Sequence, residues 1–154
     1  EVEEYQDYLA NIMAEAGMIN AHYSDSFWEP VRIIVGDNYP RAIAAMQLYD
    51  VLLVNPLADG MNLVAKEGSL VNQRDGVLIL SEFAGAFYEL GEHTTAISPF
   101  DIHGTMEAMH QALTMPLEER KERADALRDI VRKNSVRQWF FDQVDDALEA
   151  FEKG

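Results

Sequence analysis

The sequence has no cysteine, which excludes a disulfide framework and a thiolate metal site. Its histidines, His22, His93, His103 and His110, never fall into an H-E-x-x-H spacing. Only His103 and His110 stand two helical turns apart, too far to share one ion, so no metal and no cofactor is expected. Basic residues are scarce as well: 12 Lys and Arg face 27 Asp and Glu, a formal charge of −15. Such a field repels nucleic acid and anionic lipid, and neither is expected as a partner. Any phosphate site must then be local, built from backbone dipoles or from a cation supplied elsewhere. No apolar run approaches the roughly 20 residues of a membrane span. The opening Glu1-Val2-Glu3-Glu4-Tyr5 has neither the basic start nor the apolar middle of a signal peptide, so a soluble, cytoplasmic protein is expected. Glycine-rich phosphate loops are missing too, because Gly68, Gly76, Gly85 and Gly91 assemble into neither G-x-G-x-x-G nor G-x-x-x-x-G-K-[ST]. Ser81-Glu82-Phe83-Ala84-Gly85 lacks the G-x-S-x-G order of a nucleophile turn.

What is present is a repeated unit. The 154 residues suit one domain, residues 1–154. Tyr5, Tyr8, Leu9, Ile12 and Met13 recur every three to four positions and predict a helix within residues 1–21, ending near Gly17. Residues 18–28 read as irregular chain, with Ser24, Asp25 and Ser26 as turn formers. From Pro30 onward a strand, a loop and a helix follow one another three times. Strands are expected at 31–35, 51–54 and 77–80, helices at 40–48, 62–72 and 85–90, and a last short strand at 95–97. Those at 51–54 and 77–80 are apolar throughout and must be covered on both faces, the mark of a parallel sheet between helices. The fold class is therefore α/β, with a helical C-terminal end at 104–115, 116–134 and 135–151. Leu117, Ala124, Leu127, Ile130 and Val131 form a core-facing stripe, and residues 118–123 a solvated charged face.

Ligands of open parallel sheets sit at the carboxyl ends of the strands, which selects the loops at 36–39, 55–61 and 81–84. The middle loop is the richest. Asp59-Gly60 sets a carboxylate and a permissive backbone just before a helix N-terminus, whose free N–H groups attract phosphate or sugar oxygens. Asp59 could bind sugar hydroxyls or serve as a plain N-cap. Glu67, in the second turn, could grip two hydroxyls of a ribose, or remain a surface residue paired with Lys66 or solvent.

The segment Asp59-Gly60-Met61-Asn62-Leu63-Val64-Ala65-Lys66-Glu67 resembles the hallmark of the trehalose-6-phosphate synthase family of retaining glycosyltransferases. Residues 49–54, 76–86, 98–101 and 112–116 agree, as do Ile19-Asn20 and Trp28-Glu29-Pro30-Val31. The resemblance implies the C-terminal, nucleotide-binding-like domain of a GT-B enzyme. It implies that Asp59 is catalytic, and that Asp59 with the backbone of Gly60, Met61 and Asn62 holds the glucosyl hydroxyls of a nucleotide-sugar donor. It sets the Leu63 and Val64 N–H groups at the diphosphate and Glu67 at the ribose. The implied reaction moves glucose from UDP-glucose or a similar donor to glucose 6-phosphate with retention, without a metal. The nearest alternatives are a relative with another acceptor, of glucosylglycerol-phosphate or pseudo-sugar type, and a catalytically silent regulatory module. Ala58 stands where the family commonly has Arg, Gly68 where it has an aromatic residue, and the 36–40 loop departs from the usual one. The resemblance also places the diphosphate-clamping Arg and Lys and the acceptor-binding N-terminal domain in a preceding segment, so residues 1–154 alone are expected to be inactive. Partners are thus the nucleotide sugar, the sugar-phosphate acceptor and that N-terminal domain, with self-association into a homo-oligomer allowed.

Overall fold

The computed structural model describes residues 3–153 of the chain, which divides into two compact units, Glu1–Asn38 and Tyr39–Gly154. In the first, helix α1 spans Glu3–Tyr23; Glu1 and Val2, counted in the expected helix, lie outside the described residues, as does Gly154. The helix does not stop near Gly17. One exposed glycine costs only about 1 kcal/mol relative to alanine, which a helix of 21 residues absorbs. Beyond it the expected turn forms: Asp25 Oδ1 accepts from the Phe27 and Trp28 N–H groups at 2.7 and 2.9 Å.

The strand expected at 31–35 does not form. A strand exists only as part of a ladder, and here the Val31 backbone is engaged by a side chain. The Asn20 carboxamide accepts from Val31 N–H at 2.9 Å and donates to Val31 C=O at 2.8 Å. One asparagine therefore joins the two flanking stretches, Ile19-Asn20 and Trp28-Glu29-Pro30-Val31.

In the second unit the alternation holds. Helix α2 (Tyr39–Leu48) precedes β1 (Val51–Val54), α3 (Leu63–Val71), β2 (Val77–Ser81), α4 (Phe87–Leu90) and β3 (Thr95–Ile97). Three helices follow: α5 (Ile102–Thr114), α6 (Leu117–Lys133) and α7 (Val136–Lys153). The sheet is parallel, ordered β1-β2-β3, with Val51 opposite Val77 and Ile79 opposite Thr95. Strand β2 is central, and all five of its residues are buried. Alternate side chains enter opposite layers. Leu78 and Leu80 pack with Val54, Ala65, Leu90 and Leu127 beneath α3, α4 and α6. Val77 and Ile79 pack with Ile97, Ala108, Ala112 and Met115 beneath α5.

Helix α6 corrects two details of the sequence reading. Leu117, its first residue, is 64% exposed, whereas Ala124 and Leu127 are buried. Arg120 and Arg123 are not idle surface charges. Arg120 donates to the Asp75 and Arg74 carbonyls at 3.1 and 3.0 Å, and Arg123 to the Thr94 carbonyl at 3.3 Å. Arg128 adds a 2.7 Å pair with Asp75, which holds φ 50°. The turn between α3 and β2 is thereby fixed from α6 at the amino end of the sheet, away from the candidate loops. Nearby, burial pushes the Tyr49 hydroxyl up to about 12. Its ring and Leu52 close over Gly68, where a Cβ would stand 2.6 Å from Leu52 Cδ2. A side chain at position 68 would require Leu52 to move aside.

Candidate functional site

The loops after β1 and β2 form one structure at the carboxyl end of the sheet. Asp59 N–H donates to the Phe83 carbonyl at 3.3 Å, Gly85 N–H to the Asp59 carbonyl at 2.8 Å, and Ala86 N–H to the Met61 carbonyl at 2.6 Å. Asp59 and Ala84 form a parallel bridge. Ser81, fully buried, donates its hydroxyl to the Pro56 carbonyl at 2.9 Å and accepts from Phe83 N–H at 3.1 Å. That serine is a brace. The 81–84 loop, one of three candidates by sequence, is thus the wall against which the 55–61 loop is set. The third, at 36–39, straddles the boundary between the units.

Asp59 is fully exposed, yet both carboxylate oxygens are engaged. Oδ1 accepts from Met61 N–H and Oδ2 from the Asn62 carboxamide, each at 3.0 Å. The Met61 amide and then the Asn62 side chain hold the Asp59 carboxyl below the usual aspartate range. A carboxylate offers about four acceptor sites, so lone pairs remain for a ligand. Asp59 is not the N-cap of α3. That place belongs to Asn62, whose Oδ1 accepts from Ala65 N–H at 2.9 Å. Asn62 holds φ 77°, a region asparagine tolerates better than most residues.

Once Asn62 has taken the Ala65 amide, the N–H groups of Leu63 and Val64 form no hydrogen bond among the described residues and stand at the positive end of α3. Glu67 follows Leu63 by four positions and so lies on the same helix face, one turn on. It is half-buried and without a hydrogen bond or ion pair among the described residues. Lys66 is engaged elsewhere, 2.6 Å from Glu89, so the surface pairing of Glu67 with Lys66 does not occur. Gly60 has nothing within 4 Å of where a Cβ would lie, leaving its backbone open to approach. Asp59, Gly60, Met61, Asn62, Leu63, Val64 and Glu67 therefore share one ledge. Among the described residues, no group of three or more His, Asp or Glu could hold a metal ion, and no helix is long and apolar enough to cross a membrane.

The sequence reading missed the capping role of Asn62 and the ties from Gly85 and Ala86. The asparagine directly before an apolar helical run was the available signal for the cap. Replacing Asn62 with Ala is expected to cost about 1 to 2 kcal/mol: about 1 for the lost cap, and the rest because alanine has no side-chain hydrogen bond to offset positive φ as asparagine does. Glycine there should cost less than alanine. Thermal unfolding of the two variants checks the order, and equal or reversed losses would contradict the strained-cap geometry.

A shallow apolar depression of about 480 Å³ lies on the α5 side, between Asn55, Pro99, Met106 and Met109. It contains none of the ledge residues.

The family model for glycosyltransferase family 20 matches residues 1–149. The trehalose-6-phosphate synthase of Sodalis glossinidius is 40% identical over 151 residues, covering 95% of this chain and 32% of that protein. That of Sinorhizobium fredii is 40% identical over 149 residues, with the same coverage. Among solved structures, a UDP-forming α,α-trehalose-phosphate synthase from Burkholderia xenovorans in complex with glucose-6-phosphate superposes with a TM-score of 0.86. It is 36% identical over 95% of this chain and 32% of that one. An E. coli structure bound with UDP-2-fluoro glucose gives the same TM-score and identity, over 94% of this chain and 33% of that one. The chain spans about a third of the length of these relatives and matches their C-terminal portion. Sequence and fold agree over nearly its whole length: the chain belongs to glycosyltransferase family 20.

Proposed function

We propose that the ledge binds a nucleotide-sugar donor, UDP-glucose, for retaining transfer of glucose to glucose 6-phosphate, giving trehalose 6-phosphate. The observation that carries this is the pair of amides at Leu63 and Val64, flanked by the exposed carboxylate of Asp59 and by Glu67, with neither the amides nor Glu67 bonded to any of the described residues. Amides at a helix N-terminus suit a diphosphate. A carboxylate with spare lone pairs suits sugar hydroxyls, and Glu67 stands one turn from the amides, where a ribose would follow the phosphates. The relatives bound with glucose-6-phosphate and with UDP-2-fluoro glucose support the same substrate classes.

In the proposed reaction the bond from glucosyl C1 to the β-phosphate oxygen breaks, and a bond to the acceptor's anomeric oxygen forms on the same face. The acceptor proton passes to the departing phosphate. Positive charge builds on the glucosyl ring, and Asp59 orients the ring's hydroxyls through charge-assisted hydrogen bonds. Negative charge builds on the diphosphate, for which a helix end offers only about half a positive charge. With a formal charge of −15 in this chain, the remaining compensation comes from cationic side chains of the N-terminal part of the enzyme. That part also supplies the acceptor site.

Calorimetric titration of UDP-, GDP- and ADP-glucose into the full-length protein tests the reading. UDP-glucose should bind, and Glu67→Ala should weaken it about thirtyfold, the loss expected for about 2 kcal/mol of charge-assisted hydrogen bonding. Failure of all three donors to bind would leave a silent synthase-like module instead.

A further inference from the structure

Lys66 and Glu67 are adjacent in α3 but point about 100° apart. Glu67 faces the ledge. Lys66 turns onto α4, where its ammonium meets Glu89 Oε1 at 2.6 Å, with the two side chains 16% and 35% exposed. The second oxygen, Oε2, accepts from Asn134 Nδ2 at 3.0 Å. Asn134 caps the C-terminus of α6, and its own N–H is bonded to the Ile130 carbonyl. One carboxylate thus joins three helices. Burial pushes the Glu89 carboxyl up, but the hydrogen bonds from Lys66 and Asn134 outweigh it and hold the group below the usual glutamate range.

The position of this junction gives it a use. Helix α3 is attached to the segment after β2 at two points. Its leading loop is stitched to Phe83, Gly85 and Ala86 through backbone hydrogen bonds. One turn further on, Lys66 is tied to Glu89 in the same segment. The far end of α3 is held separately, where Asn72 donates to the Met46 and Tyr49 carbonyls and Arg128 donates to the Asn72 carbonyl, so the Lys66 tie sets the middle of the helix. Loss of that tie would let the first turns of α3 shift between its two held ends, moving Glu67 relative to Asp59 and to the Leu63 and Val64 amides. Displacements of about 1 Å at such groups cost up to a hundredfold in rate.

We propose that Glu89 is a positioning residue for the donor site, holding α3 through Lys66, and braced by Asn134, so that the first-turn amides and Glu67 face one bound nucleotide sugar. The inference rests on the donor-site reading above. It concerns a residue that touches no ligand and acts only through Lys66.

Steady-state kinetics of the full-length protein separate this from a general contribution to stability. Glu89→Ala should raise the donor KM about tenfold and leave the acceptor KM unchanged. Glu89→Gln, which still accepts from Asn134 but loses the ion pair, should fall between it and the parent. Lys66→Met should match Glu89→Ala, and the double variant should be no worse than either single one, because the two residues act as one unit. Leu127→Ala, in the core beneath α3, serves as a destabilised control. An equal rise in donor KM in Leu127→Ala would overturn the proposal, as would an unchanged donor KM in both Glu89 variants while Glu67→Ala raises it. Should Glu89→Ala fail to fold, Glu89→Gln and Lys66→Met carry the same comparison. An unchanged donor KM in Glu67→Ala would instead remove the donor-site reading itself, and this proposal with it.

Discussion

Gly85→Ala is expected to destabilise the unit formed by residues 39–154 by about 3 kcal/mol and to abolish donor binding. The glycine is not required for its dihedral angles, since the only glycine with positive φ among the described residues is Gly36. It is required for space. A Cβ on Gly85 would stand 2.6 Å from the Gly60 carbonyl carbon, closer still to its oxygen, and 3.1 Å from Met61 N. All of these are backbone atoms, so no side chain can rotate aside. An alanine compatible with its site would gain about 0.4–1 kcal/mol by restricting the unfolded chain, too little to offset a backbone clash. Relief requires the 55–61 loop to withdraw, which breaks the bonds from Gly85 to Asp59 and from Ala86 to Met61. The contrasting variant is Gly60→Ala, where the added methyl meets nothing within 4 Å. Urea unfolding should therefore separate them, with Gly85→Ala far less stable and Gly60→Ala near the parent. Equal stability of the two would mean that the loops are not in contact as described.

The parallel sheet was legible because its strands are continuous apolar runs. Val51-Leu52-Leu53-Val54 and Val77-Leu78-Ile79-Leu80 can be satisfied only by cover on both faces, and both formed where expected. The run at 31–35, β-branched but interrupted by Arg32, carries a similar local signal and formed no strand, because a strand is a property of a pair. Nothing in Val31-Arg32-Ile33-Ile34-Val35 reveals that the Asn20 carboxamide takes up the Val31 backbone. The ledge was legible in outline for a related reason: a carboxylate, a glycine and a helix start are local features. What stayed hidden depended on partners distant in sequence. The clamp by Gly85 joins positions 59 and 85, and the Glu89 junction joins 66, 89 and 134. Composition likewise labels Arg120 and Arg123 as surface charges, since only the packed turn shows which carbonyls they reach.

Asp59→Asn should lower the rate of glucosyl transfer by about a hundredfold to a thousandfold, the scale seen when one preorganised electrostatic group is removed from a transition state. The substitution preserves size, so the effect is one of charge and hydrogen-bond direction. Both Asp59 oxygens accept, from Met61 N–H and from Asn62 Nδ2. An amide at position 59 must turn a donor toward one of these donors, losing that bond as well as the negative charge near the glucosyl ring. The pH dependence follows from the same bonds. They hold the Asp59 carboxyl below the usual aspartate range, so its folded pKa lies below its unfolded one. Whatever the charge contributes is then fully present above the unfolded value and is lost only as pH falls through the lower, folded one. The ratio of parent to Asp59→Asn rates should accordingly stay constant from about pH 8 down to about pH 5, even where other groups lower both rates. Transfer assays of the two proteins across that interval measure it directly. A ratio collapsing toward one by pH 5 would place the titration of Asp59 too high for a carboxylate held by Met61 and Asn62. A variant as fast as the parent at every pH would remove Asp59 from the chemistry and leave the ledge as a binding surface alone.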